Sequence, residues 1–114
     1  MRKKNTLFCS DTVSRPPRFM GCFQDSEGRD LPKEVAVTPL TVGACVTKCG
    51  QSGFSMAGLQ SSTQCFCGMT YSRYGRLRDE RCSMRCAGDY NEICGGFLMN
   101  SIYYTGKKES LICH

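Results

Sequence analysis

Four cysteines, spaced Cys45-x3-Cys49 and Cys65-x-Cys67, constrain this chain more than any other feature in it. Residues four apart on an α-helix share a face and lie about 6 Å apart along its axis. Residues two apart on a β-strand also share a face, at about 6.6 Å. Two sulfur columns of nearly equal pitch allow two roughly parallel disulfides to pin a helix onto a strand. The flanking residues agree with this. Thr41 to Gly50 reads as a short helix with Thr41 as N-cap and Gly50 as its C-terminal stop, and Gln64 to Gly68 reads as a glycine-bounded strand. Spacing alone leaves open which thiol of one column joins which of the other. An all-thiolate zinc site would need the four sulfurs within about 2.3 Å of one point, whereas matched columns hold two bridges some 6 Å apart. No metal or other cofactor is expected.

The remaining composition explains why such stitching is needed. Of the 46 apolar residues in the 114-residue chain, ten are cysteines, which leaves 36 to build a core without any Trp. A single small domain with so thin a core is marginal on burial alone, and secreted domains of this size make up the deficit with disulfides. An oxidising compartment follows as the expectation. Met1-Arg-Lys-Lys4 resembles the start of a secretory leader, but Asn5 to Asp11 lacks the apolar stretch of about 7–15 residues that a leader needs. We therefore expect a fragment or a misplaced start. No apolar run approaches the roughly 20 residues that cross a bilayer, so no direct membrane insertion is expected. The net charge of +5 is modest and no groove-reading motif accompanies it, which argues against nucleic acid.

Along the chain, residues 1–18 read as an N-terminal tail, 19–104 as the domain and 105–114 as a C-terminal tail. Arg18 to Phe23 forms a first strand, and Gln24 to Asp30 a turn rich in Asp, Ser and Gly. Leu31 to Pro39, with two prolines, reads as irregular. Gly53 to Leu59 and the Cys65–Cys67 strand make an antiparallel hairpin through Ser61–Thr63. Asp79 to Cys86 is expected to hold one helical turn with Cys82 and Cys86 on one side. Gly95 and Gly96 mark permissive backbone, and Asn100 to Thr105 is a final strand. The fold class is α+β: a small antiparallel sheet with one main helix packed on it, rich in disulfides.

These residues resemble a WSC domain. The resemblance is carried by Met20-Gly-Cys-Phe-x-Asp25, Thr41-Val-x-x-Cys-x-x-x-Cys49, Ala57-Gly-Leu59, Cys65-Phe-Cys-Gly68, Cys82-x-x-x-Cys86-x-Gly88, Glu92-Ile-Cys-Gly-Gly96 and Ile102-Tyr-Tyr104. It implies the pairing Cys22–Cys82, Cys45–Cys65, Cys49–Cys67 and Cys86–Cys94, and a fold similar to the PAN/apple class. Eight cysteines otherwise allow 105 pairings. Cys9 and Cys113 fall outside the pattern and flank the domain; mutual pairing is the favoured expectation, and pairing with parts of a longer chain or free thiols are the alternatives.

The resemblance also implies a function. Modules of this family occur in cell-wall stress sensors, polycystin-like proteins, Kremen-like receptors and some sulfotransferases and oxidases. The family is described as carbohydrate-binding, so the expectation is a non-catalytic recognition module outside the cell or at its surface. Its partner would be a polysaccharide or cell-surface glycan. Sugar recognition needs exposed aromatic faces beside polar groups, and Tyr71, Tyr74, Tyr90 and Asn91 lie in turn-like segments that supply both. Arg73 and Arg76 begin a series of five arginines ending at Arg85, which departs from the family's usual polar loop and could hold an anionic glycan. A solvated charged face is the plainer explanation of such a run. The alternative partner is a protein ligand of a cell-surface receptor. An enzyme is not expected: His114 is the one histidine, and no nucleophile sits beside a base. Asp25, Glu27 and Asp30 read as a hydrophilic turn.

Overall fold

The structure is a computed structural model that describes residues 16–106, together with the backbone of Thr12–Val13 and Glu109–Ser110. Those two short segments, β1 (Thr12–Val13) and β10 (Glu109–Ser110), pair antiparallel. Cys9 and Cys113, for which mutual pairing is the favoured expectation, lie outside the described residues.

The helix α1 spans Val42–Gln51. Thr41 is its N-cap, extended at φ −131° and ψ 161°, and its hydroxyl accepts the Ala44 amide at 3.1 Å. The far end corrects the sequence reading, because Gly50 is helical and does not stop the helix. The Phe54 amide donates to the Cys49 carbonyl and the Gly53 amide to that of Gly50, with Gly53 at φ +93°. This is the paired-bond C-terminal motif in which glycine supplies the left-handed residue just past the end. Gly53 is therefore the stop.

A six-stranded antiparallel sheet packs against α1. Its strands are β2 (Arg18–Gln24), β3 (Lys33–Val35), β4 (Met56–Gln60), β5 (Gln64–Gly68), β6 (Arg76–Leu77) and β9 (Met99–Tyr104), arranged β3-β5-β4-β9-β2-β6. The β4–β5 hairpin forms as expected, with Ser61 and Ser62 both at positive φ in its turn. β3 was not expected, since the segment between Leu31 and Pro39 shows no alternation. It is a three-residue edge strand held only by pairing with Cys65–Cys67.

Alternation along the strands sorts the interior into two clusters, one on each face of the sheet. The helix face gathers Leu40, Val46, Ala57 and Leu59 with six cysteines, while Phe23, Leu31, Phe66 and Ile102 fill the other. Four disulfides link the described residues: Cys22–Cys82, Cys45–Cys65, Cys49–Cys67 and Cys86–Cys94, the pairing the resemblance implies. The two helix-to-strand bridges approach more closely than their 6 Å pitch, because the side chains lean together: the Cys49 and Cys65 sulfurs are 3.8 Å apart.

The last third of the domain departs from expectation at one point. Asp79–Arg81 is a 3-10 turn, after which Cys82 is extended, so Cys82 and Cys86 do not share a helical turn. Cys86 instead lies on β7 (Arg85–Cys86), which pairs with β8 (Asp89–Ile93) in a hairpin closed by Cys86–Cys94. The hairpin docks through the Gly88 amide, which donates to the Leu40 carbonyl at 2.7 Å.

Gly95 follows this hairpin at φ +70°, and a Cβ there would stand 2.2 Å from the Leu59 carbonyl oxygen and 2.4 Å from that of Met99. Gly53 has the same backbone sign but open space around it. Gly53→Ala should cost about 1 kcal/mol, the left-handed penalty alone. Gly95→Ala should cost at least roughly twice that, because two backbone carbonyls must also move. Chemical denaturation of both variants checks the order.

Candidate functional site

Two buried carboxylates build the loop that carries the tyrosine–arginine candidates. Asp25 Oδ1 accepts the Asp30 amide at 2.9 Å, while its Oδ2 accepts Arg29 at 3.0 Å and the Gln60 side chain at 2.9 Å. Asp30 in turn accepts the backbone amides of Ser72 and Arg73 at 2.8 and 3.0 Å. The acidic turn is thus a scaffold rather than a solvated surface, since both carboxylates are buried. Burial pushes the Asp25 carboxyl up, but the Asp30 amide, Gln60, the Ser26 amide and Arg29 outweigh it and hold the group below its ordinary 3.8.

On that loop the sequence-derived candidates are already engaged with their own chain. Tyr71 is half-buried, packed edge-on against Phe23 with ring centroids 5.2 Å apart. Tyr74 is 37% exposed and its hydroxyl donates to the Gly28 carbonyl. The Arg73 guanidinium lies over the Tyr74 ring at 5.4 Å, and Arg76 lies over Phe23 at 5.8 Å while pairing with Asp79 at 3.2 Å. These contacts cover aromatic faces that stacking on a sugar would need. Tyr90 is 80% exposed on β8, with Arg85 over its ring at 5.9 Å. Asn91 is its neighbour, its amide bonded to Asp89. Tyr71, Arg73, Tyr74 and Arg76 thus gather at one place, and Tyr90 and Asn91 at another.

A groove of about 440 Å³ opens on the helix side of the sheet, and Asn91 is the one sequence-derived candidate among its lining residues. A β-bulge builds its wall. The β2–β9 register shifts between Ile102 and Tyr103, so that Gly21 faces Ile102 and Phe19 faces Tyr103, leaving Met20 as the extra residue. Gly21, at φ +133°, supplies the unusual backbone. Without the extra residue Phe19 would fall on the opposite face. As built, Phe19 is 45% exposed and tilts against Tyr103 with ring centroids 5.2 Å apart. Burial, and then the charge of Glu92, push the Tyr103 phenol above its ordinary value, so it remains a neutral hydroxyl through the physiological range.

Polar groups face this aromatic wall. Glu92 comes from β8 and its Oε1 accepts the Val42 amide at 2.9 Å, satisfying a free donor at the start of α1. Asp79 comes from the 3-10 turn, and its Oδ1 accepts the Cys22 amide at 3.3 Å. Asn91, Ser101 and the Cys82 end of the Cys22–Cys82 bridge complete the lining with Val42 and Ile93. An apolar body ringed by a few placed polar groups is the usual form of a small-ligand site. Sequence reasoning missed Phe19, Asp79, Glu92 and Tyr103 as a set. The one available signal was the Phe19-Met20-Gly21 run, whose glycine inside a strand marks a bulge.

The sulfurs of Cys45, Cys49 and Cys65 lie within 4.8 Å of one another, a spacing that would suit a metal. All three are committed to disulfides, which leaves no thiolate there to act as a ligand.

The Asp25 network carries a pH dependence. A folded-state carboxyl held below its unfolded value adds stability that is complete above that unfolded value, near 3.8, and is lost as pH falls through the folded one. Thermal unfolding should therefore shift to lower temperature below about pH 4. Asp25→Asn should lower the neutral-pH midpoint and flatten that acid limb.

Comparison with known proteins identifies the family. Xylosyltransferase oxt of Drosophila melanogaster is 38% identical over 91 residues, covering 76% of this chain and 10% of the fly protein. Kremen protein 1 of Homo sapiens is 31% identical over 94 residues, covering 78% of this chain and 20% of that protein. A WSC domain-containing protein of Arthroderma benhamiae is 35% identical over 94 residues, covering 78% and 10%. The chain thus spans only about a tenth to a fifth of the length of these relatives, and the similarity is that of one module in longer proteins. The WSC domain family model matches residues 19–96. With its four-disulfide, helix-on-sheet architecture, this chain belongs to the WSC domain family.

Proposed function

We propose that this chain is a non-catalytic recognition module acting outside the cell or at its surface, and that the groove beside Phe19 and Tyr103 binds carbohydrate. The observation that carries the reading is the half-exposed Phe19 ring standing over a groove whose other walls offer Asp79, Asn91, Glu92 and Ser101. A pyranose presents one C–H-rich face and a rim of hydroxyls. An aromatic wall takes the first, and carboxylate, amide and hydroxyl groups take the second. Among the candidates proposed from sequence, Asn91 acts directly in this site and Arg76 acts by holding Asp79. Tyr71, Arg73 and Tyr74 belong to the other face, where they support the 25–30 loop. The eight paired cysteines suit an oxidising compartment.

A second reading, a protein ligand, is favoured by two large side chains that neither the groove nor the core uses: Tyr90 at 80% and Phe97 at 76% exposure. Exposed aromatic residues are the usual anchors of protein interfaces. Titration with neutral oligosaccharides, followed by NMR shifts of the groove amides, separates the two. Under the glycan reading Phe19→Ala weakens binding by roughly tenfold or more, while Tyr90→Ala leaves it unchanged. Under the protein reading no oligosaccharide moves the groove amides, and Tyr90→Ala with Phe97→Ala abolishes capture of a protein ligand.

A further inference from the structure

We infer that the saccharide this groove selects carries a free amine, as a glucosamine unit does, rather than a sulfate or a uronic acid. The inference rests on the carbohydrate reading of the groove and adds its charge preference. The chain as a whole is basic, at +5, yet the groove is not. Its charged lining residues are Asp79 and Glu92, and no Lys, Arg or His side chain lines it among the described residues. The sign of a site is set by what faces the ligand and not by the sum over the chain.

The two carboxylates differ in how far they are already answered. Asp79 Oδ1 takes both the Arg76 guanidinium at 3.2 Å and the Cys22 amide at 3.3 Å, so its charge is largely matched at an exposed rim. Glu92 makes no ion pair with a cationic side chain among the described residues. Its Oε1 accepts the Val42 amide, and Oε2 has no hydrogen-bond partner among the described residues. It is also the charge felt by the Tyr103 phenol, which puts it beside the aromatic wall. A ring stacked on Phe19 would therefore meet one carboxylate with an oxygen to spare. A protonated ring amine brings three donors and a positive charge to it, making a charge-assisted bond. A sulfate or uronate in the same place would set like charges together, with no arginine among the described lining residues to relieve them and with Arg76 already paired to Asp79. The exposed arginines at 73, 78, 81 and 85 lie outside the groove lining and do not reverse this preference.

The test compares three probes of equal length by calorimetry with the intact chain: a glucosamine oligomer, its fully N-acetylated counterpart and a sulfated glycosaminoglycan fragment. The buffer is of low ionic strength, at a pH below the pKa of the sugar amine. The glucosamine oligomer should bind about tenfold tighter than the acetylated one, and the sulfated fragment weakest. Glu92→Gln, whose amide oxygen can still accept the Val42 N–H, should erase the difference between the first two while leaving the thermal midpoint in place. Equal or tighter binding of the acetylated oligomer would overturn the inference, as would tightest binding of the sulfated fragment. So would an undiminished amine preference in Glu92→Gln. If the acetylated oligomer binds with a loss in Phe19→Ala but shows no amine effect, the charge preference alone fails. If no oligomer binds, the carbohydrate reading fails with it.

Discussion

Two disulfides between one turn of a helix and one strand are the constraint on which this structure depends. Cys45–Cys65 and Cys49–Cys67 fix both the distance and the rotation of α1 over β5, because two bonds along one line leave no freedom to roll. Their sulfurs also form the interior: these four cysteines, with Cys86 and Cys94 of a third bridge, are six of the ten residues in the buried helix-face cluster. Each such bond is worth about 2–4 kcal/mol, against a net stability of roughly 5–15 kcal/mol for a whole domain. The covalent links therefore stand in for the apolar side chains that a 114-residue chain without Trp does not provide.

The groove follows from that fixed helix. α1 begins at Val42, and the Glu92 carboxylate reaches its first amide from β8, a strand whose own position is set by the Cys86–Cys94 bridge and by Gly88 against Leu40. On the other side the Cys22–Cys82 bridge holds the 3-10 turn that presents Asp79. The aromatic wall needs no cross-link, only the bulge at Met20–Gly21 that turns Phe19 toward Tyr103. Helix α1, β8, the 3-10 turn and the bulged β2–β9 pair thus converge on one opening, and polar groups held in place this way would lose little entropy on binding a ligand. The opposite face is different in kind. There Asp25, Arg29, Gln60 and Asn100 form a buried polar network whose work is to hold a loop.

What could be read from the sequence was whatever has short range or a fixed pitch. Thr41 as a cap, the matched cysteine columns and the Ser61–Thr63 hairpin all fall within a few residues, and all are present. The errors came from competition between equally valid local signals. Gly50 and Gly53 are both able to end a helix, and only the bonds from Gly53 and Phe54 decide between them. Asp25 and Asp30 have turn composition but are buried, because the partners that make burial tolerable lie 35 and 42 residues away at Gln60 and Ser72. The groove was the least legible part. Phe19, Asp79, Glu92 and Tyr103 are scattered over 85 positions, and a register shift that no periodicity announces brings them together.

The claim beneath all of this is that sulfur bridges supply what the apolar interior lacks. Its most direct test is far-ultraviolet circular dichroism of the chain after complete reduction and alkylation of its cysteines, recorded beside the oxidised chain. The account predicts that the reduced, blocked chain has lost the sheet and shows no cooperative thermal transition. A reduced chain that keeps the native spectrum and melts cooperatively near the oxidised midpoint would contradict it.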